Sequence, residues 1–155
     1  LHDALPISPL EFEIWTHKFK EYEIYENERL RAGFRVLECE KEVQSEFCGV
    51  QIKGFIDRID VGANGDVLIL DYKTGEANVN SLQLAFYEAL YGGEVRSAYY
   101  ALKNEPSLVS SKKSVEDLSG EIEKLKTINK TKINFERKSG ACKFCEYAIL
   151  CRREL

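Results

Sequence analysis

The chain lacks any apolar run near the roughly 18 residues that a membrane-crossing helix requires, and no basic-then-apolar leader opens it. These absences argue against a helical membrane protein or a membrane partner, and they lead us to expect a cytoplasmic location. An excess of positive charge is also missing: the net charge is -4, whereas proteins that coat nucleic acid are usually strongly basic. An enzyme that grips nucleic acid locally, through a metal ion or with a basic partner, stays open. The five cysteines, Cys39, Cys48, Cys142, Cys145 and Cys151, make an odd count without an export signal, which argues against a disulfide framework. There is no internal repeat, no low-complexity stretch and no sign of a second domain. What remains is 155 residues, 44% hydrophobic and 31% charged, enough for one soluble globular domain with a single core.

Residues 1–8 share no period with the rest of the chain and are expected to be a non-native extension, with residues 9–155 forming one domain. A helix is predicted over 10–31, with Phe12, Trp15, Phe19 and Tyr22 on one face and Gly33 as its stop. The period then becomes two. Strands are predicted over 34–43, 50–61 and 67–73, the last two joined by a turn through Asn64-Gly65. A second helix is predicted over 81–91, with Leu82, Ala85, Phe86 and Ala89 as its buried stripe. A strand over 95–102 and a charged helix over 114–128 come next, the latter with Val115, Leu118, Ile122 and Leu125 as its seam. The order helix, three strands, helix, strand predicts a small mixed α/β fold.

The chemistry concentrates in the hairpin. Residues two apart on a strand share a face, so Asp71 and Lys73 project together after the apolar run Val67 to Leu70. If the hairpin turns about Asn64, Asp57 lies opposite Asp71. Paired carboxylates at the end of an apolar strand repel each other and call for compensation. A hard cation such as Mg²⁺, which takes one or two carboxylates plus water and phosphate oxygens, supplies it. Lys73 beside them suits metal-assisted phosphodiester hydrolysis. The bland alternative is a solvated hairpin end with an incidental Asp71–Lys73 pair. Glu38, Glu40 and Glu42 alternate along the first strand, a pattern that by default is a solvated face. Gln83 and Tyr87, four apart on the second helix, share a face that the Leu82/Phe86 stripe turns away from the core.

Three of the cysteines crowd into the tail. Cys142-x-x-Cys145-x5-Cys151 places three soft thiolates close enough to share zinc or an iron–sulfur cluster. Cys39 and Cys48 fall at strand positions that read as packing.

Gly54-x-Ile56-Asp57-Arg58-Ile59-Asp60, then Leu70-Asp71-Tyr72-Lys73-Thr74-Gly75, then Gln83-x-x-x-Tyr87, together resemble the PD-(D/E)XK nuclease superfamily. The nearest resemblance is to the nuclease domain of AddB and RecB helicase–nuclease subunits, over roughly residues 34–152. It implies a restriction-endonuclease-like core, a central mixed sheet flanked by helices. It also implies a Mg²⁺- or Mn²⁺-dependent DNA exonuclease working with a helicase domain or subunit in recombinational repair of double-strand breaks. In that likeness Asp57, Asp71 and the Tyr72 carbonyl are metal ligands, Lys73 is the catalytic lysine, Gln83 and Tyr87 lean over the site, and Glu40 supports it. The cysteine tail, residues 140–152, resembles the part of AddB-type nucleases that holds a 4Fe–4S cluster with a fourth, upstream cysteine. No cysteine precedes Cys39, and the family's leading metal-binding histidine is not evident, His17 standing in the wrong context. The expectation is therefore a domain truncated at its N-terminus. The alternatives are a CRISPR-adaptation-type nuclease of the same superfamily and a catalytically silent, nuclease-like DNA-binding scaffold.

Overall fold

The structure, a computed structural model, describes residues 8–127. The chain divides into two compact units, Leu1–Glu123 and Lys124–Leu155, and the strands among the described residues belong to the first. Helix α1 (Pro9–Arg31) begins at a reciprocal cap: Ser8 Oγ accepts from the Glu11 amide, and the Glu11 carboxylate accepts from the Ser8 amide. It stops at Ala32, and Gly33 comes next with a φ of +92°, a conformation that glycine adopts without strain. Strands β1 (Arg35–Phe47), β2 (Val50–Val61) and β3 (Val67–Lys73) form an antiparallel meander. Helix α2 (Gln83–Tyr91) carries the chain over to β4 (Val95–Ala101), which lies parallel to β3. A short strand β5 (Ser107–Val109) and helix α3 (Val115–Thr127) complete the order. The result is one mixed five-stranded sheet in the order β1-β2-β3-β4-β5, an α/β fold with helices against the sheet, as the sequence led us to expect.

Alternation in β3 builds two cores. Ile69 faces α2, where it joins Ile52, Ile56, Ile59, Leu84, Tyr87, Leu90 and Tyr99. Leu68 and Leu70 face the other way and pack with Ala98 and Tyr100 against Tyr22 and Tyr25 of α1. The turn between β2 and β3 runs through Gly62–Asp66 with Gly65 at φ +85°, as its Asn-Gly predicted. β1 and β2 run on to a two-residue turn, Cys48-Gly49, with φ values of +51° and +69°.

Several expectations fail for physical reasons. On α1, Phe12 and Phe19 stay exposed; of the predicted face Tyr22 does turn to the sheet, joined there by Tyr25, Glu26 and Arg29. The first half of the helix lies beside the segment after β4, where the Lys18 ammonium donates to the Leu102 and Lys103 carbonyls. On α2 Ala85 is buried as predicted, but its buried companions are Leu84, Tyr87 and Leu90, while Leu82, Phe86 and Ala89 are only partly buried. A hydroxyl that finds a buried partner costs little to bury, so Tyr87 turns inward. Cys39 is exposed, and Cys48 lies in the β1–β2 turn, half-buried, with its Sγ 3.2 Å from Ser119 Oγ. The simple alternation of Glu38, Glu40 and Glu42 is also broken. The β1–β2 register shifts between Val36 and Glu38, Glu38 pairs with Lys41 at 2.6 Å, and Glu40 has a left-handed φ of +49°.

Candidate active site

The β2–β3 register pairs Arg58 with Leu70, and there the ladder ends. Carried one step further, the same register brings Asp57 level with Asp71, the arrangement expected from a turn about Asn64. Asp57 marks an irregularity in β2: Ile52, Ile56 and Ile59 all join the cluster under α2, so the period of two slips between Ile56 and Ile59. Glu40 lies across from this slip, between the pairs Cys39↔Arg58 and Lys41↔Ile56. Such breaks in pairing re-aim side chains, and they recur beside active sites.

Asp71 is almost fully buried, 3% exposed. Its Oδ1 accepts from Gln83 Nε2 at 2.8 Å and from the Tyr87 hydroxyl at 3.1 Å, while Gln83 Nε2 also donates to Tyr87 Oη at 3.0 Å. Gln83 and Tyr87 do share a helix face, but it is the face toward the sheet and not one turned from the core. Burial pushes the Tyr87 phenol up to about 12; the Gln83 bond opposes this, and the charges of Asp71 and Asp57 add to it. The phenol therefore stays protonated near neutral pH and serves as a donor to Asp71.

The other Asp71 oxygen, Oδ2, is buried with no aligned hydrogen-bond donor among the described residues. The Lys73 ammonium stands 2.6 Å away as an ion-pair partner, outside hydrogen-bond geometry. Lys73 also lies 5.3 Å from the centre of the Tyr99 ring, a cation–π contact within a wall of the site. Asp57, half-buried, accepts from the Tyr72 amide through Oδ2 at 2.9 Å. Glu40 is exposed, and no hydrogen bond or ion pair reaches it among the described residues.

A buried carboxylate oxygen whose neighbour is a single lysine, next to a second carboxylate, fits a hard divalent cation. Among the described residues no group of three or more His, Cys, Asp or Glu gathers, so such a site would rest on two carboxylates with carbonyl and water oxygens. That is within the usual preference of Mg²⁺.

Sequence reasoning did not find what lies behind the site. On the α1 face Arg58 donates to Asp60 from Nε at 2.6 Å and from Nη2 at 2.9 Å, and its Nη2 also donates to Glu26. Its Nη1 reaches the hydroxyls of Tyr72 at 3.2 Å and Tyr22 at 3.3 Å. Arg29 donates to Asp60 at 2.5 Å, and the Tyr100 hydroxyl donates to Glu26 at 3.1 Å. Burial works against the Arg58 charge, but the bonds from Asp60, Glu26 and Tyr72 outweigh it and raise its pKa. Arg58 is thus committed to ion pairs with Asp60 and Glu26. The signal for this network was the spacing of Tyr22, Glu26 and Arg29, which share one helix face.

A sheet of this topology with an Asp-x-Lys strand end and a facing Asp is the frame of a nuclease. The family model of the PD-(D/E)XK nuclease superfamily matches residues 7–152, and the chain belongs to that superfamily. No curated protein matches it significantly. Among solved structures it is similar to a repair endonuclease from Pyrococcus abyssi, at 19% identity and a TM-score of 0.35, over 76% of this chain and 46% of that one. SSO0001 is similar at 18% identity and a TM-score of 0.48, over 88% of this chain and 68% of that one. EndoMS in its dsDNA2 complex is similar at 20% identity and a TM-score of 0.37, over 78% of this chain and 44% of that one. The chain thus spans about half the length of the Pyrococcus endonuclease and of EndoMS. Cys142, Cys145 and Cys151 lie outside the described residues, and among the described ones no helix is long and apolar enough to cross a membrane.

Proposed function

We propose that this chain is the nuclease domain of a cytoplasmic, divalent-metal-dependent DNA exonuclease that works with a helicase domain or subunit in recombinational repair of double-strand breaks. The observation that carries the reading is the buried Oδ2 of Asp71, contacted only by the Lys73 ammonium among the described residues, with Asp57 level with it. Asp57, Asp71 and the Tyr72 carbonyl would hold Mg²⁺ or Mn²⁺. When bound, the ion polarises the phosphodiester and favours hydroxide over water as the nucleophile.

The protein's own groups do the rest. Gln83 and Tyr87 occupy Asp71 Oδ1, which leaves Oδ2 turned to the site. Lys73, held over Tyr99, sets a positive charge where a phosphate oxygen and the attacking water would sit. Glu40, exposed across from Asp57 and without an ion pair among the described residues, is a supporting carboxylate. Cys142, Cys145 and Cys151 would hold a 4Fe–4S cluster, or zinc, with a fourth ligand from elsewhere in the intact protein. The exonuclease and helicase assignments rest on the motif from Gly54 to Asp60 and its order relative to Asp71-Tyr72-Lys73 and Gln83.

The test is degradation of end-labelled linear DNA against covalently closed circles. Metal-dependent loss of linear DNA only, abolished by Asp71→Ala and by Lys73→Ala, is the expected result. Cleavage that survives either substitution or metal chelation defeats the site; attack on closed circles defeats the exonuclease assignment alone.

A further inference from the structure

Past Arg58↔Leu70 the β2–β3 ladder stops, so backbone pairing no longer sets the distance between Asp57 and Asp71. Two side-chain bridges take over, one on each face of the sheet, and both end on Tyr72. On the α2 face the Tyr72 amide donates to Asp57 Oδ2 at 2.9 Å. On the α1 face Arg58 Nη1 donates to the Tyr72 hydroxyl at 3.2 Å. Asp57 and Arg58 are consecutive, so the two bridges clamp a single point of β2 to a single residue of β3.

The clamp is anchored. Arg58 is fixed by Asp60 and Glu26, and the Tyr72 hydroxyl also lies 3.3 Å from that of Tyr22. The Tyr72 ring packs against Tyr100 with centroids 5.4 Å apart. Helix α1 supplies Tyr22 and Glu26, so a helix on the back of the sheet bears on the two carboxylates at its front.

We propose that Arg58 and the Tyr72 hydroxyl are positioning residues that hold Asp57 and Asp71 at the spacing a divalent cation requires. The inference rests on the reading of those two carboxylates as metal ligands. Groups one layer behind a metal's ligands commonly tune its affinity about 10- to 100-fold.

A purely structural role makes a different forecast. The Tyr100 hydroxyl belongs to the same network through Glu26 but does not reach the ends of β2 and β3. Tyr100→Phe therefore removes a comparable part-buried hydrogen bond while keeping the ring against Tyr72 and both bridges to Tyr72. Mn²⁺ binding, followed by the loss of its free-ion paramagnetic resonance signal, and melting temperature are measured on the full chain and on Tyr72→Phe, Tyr100→Phe and Asp57→Asn.

The expected result is Mn²⁺ affinity weakened about tenfold in Tyr72→Phe and unchanged in Tyr100→Phe, with both melting lower. Arg58→Lys, which cannot reproduce the guanidinium fork, should weaken binding as Tyr72→Phe does. Wild-type affinity in Tyr72→Phe overturns the proposal, as does equal weakening in Tyr100→Phe, since affinity would then track stability. Wild-type binding in Asp57→Asn removes the metal-ligand reading itself. Loss in Asp57→Asn with none in Tyr72→Phe leaves that reading standing and rejects only the clamp.

Discussion

The Tyr72 amide donates to Asp57 Oδ2 one residue beyond the last β2–β3 pair, so a carboxylate stands where a backbone carbonyl would otherwise continue the ladder. Asp57 therefore has a structural duty on one oxygen, and no described residue hydrogen-bonds the other. Asp71 divides in a similar way, with Oδ1 occupied by Gln83 and Tyr87 and Oδ2 facing the Lys73 ammonium. Under the proposed function, these two carboxylates, each held by the fold through one oxygen, would offer the other oxygen to a metal ion.

Binding of a divalent cation between them should stabilise the fold. An ion present at about 100 times its Kd adds about 2.7 kcal/mol to unfolding. Melting temperature should rise with added Mg²⁺ and return to baseline with chelator. Asp57→Asn and Asp71→Asn should each remove most of the Mg²⁺ response. A melting curve of the unaltered chain that ignores Mg²⁺ would count against the paired site.

Alkaline pH should act through the buried phenols. The Tyr87 pKa is raised from 10.0 to about 12, first by burial, and those of Tyr22 and Tyr100 are raised by burial as well. An acid whose folded pKa exceeds its unfolded one contributes stability that is fully present below the unfolded value and lost as pH climbs through the folded value. Stability should hold up to about pH 10 and fall between there and about pH 12. The difference in denaturation midpoint between the wild type and Tyr87→Phe should narrow across that window. A constant difference from neutral to strongly alkaline pH would mean that Tyr87 does not titrate late.

The buried network under α1 should be the most fragile polar feature. Asp60 is fully buried and accepts from both Arg58 and Arg29. Asp60→Asn leaves two guanidiniums sharing Glu26, and stranding a buried charge typically costs about 3–5 kcal/mol. Denaturant titration should show a loss of that size. A shift under about 1 kcal/mol would mean that water reaches the site and solvates the arginines.

Much of this layout was legible from residue pattern alone. The switch from helical spacing to alternation marked α1 and the three strands, and Asn64-Gly65 centred the hairpin so that Asp57 faced Asp71. The inward face of α2 was not legible, because a hydrophobicity count sees Gln83 and Tyr87 as polar. Only the position of Asp71 on β3 shows that their polar ends have a buried partner. The same blindness hid the network of Tyr22, Glu26 and Arg29, where the inward residues are charged or hydroxylated and the exposed ones include Phe12 and Phe19. β5 escaped because three residues carry too little periodicity to read.

Gly54, the first residue of the motif that ends at Asp60, ties packing to chemistry and gives a last test. A Cβ built there would stand 3.1 Å from Leu90 Cδ2 and 3.2 Å from Phe86 Cε1, both on α2. The helix therefore rests closely on β2 at this point, and a methyl requires Leu90 and Phe86 to give way by a few tenths of an ångström. If those side chains are held by their packing, Gly54→Ala pushes α2 outward at a cost of about 1–3 kcal/mol. An outward shift would also draw Gln83 and Tyr87 from Asp71, where their contacts are now 2.8 Å and 3.1 Å. Nuclease activity should thus fall at temperatures where the variant is still folded. Adding Phe86→Leu, which vacates the nearer ring carbon, should restore part of both stability and activity. If Gly54→Ala melts like the wild type, α2 is not held at that distance by Gly54, and the link from this motif residue to Asp71 fails.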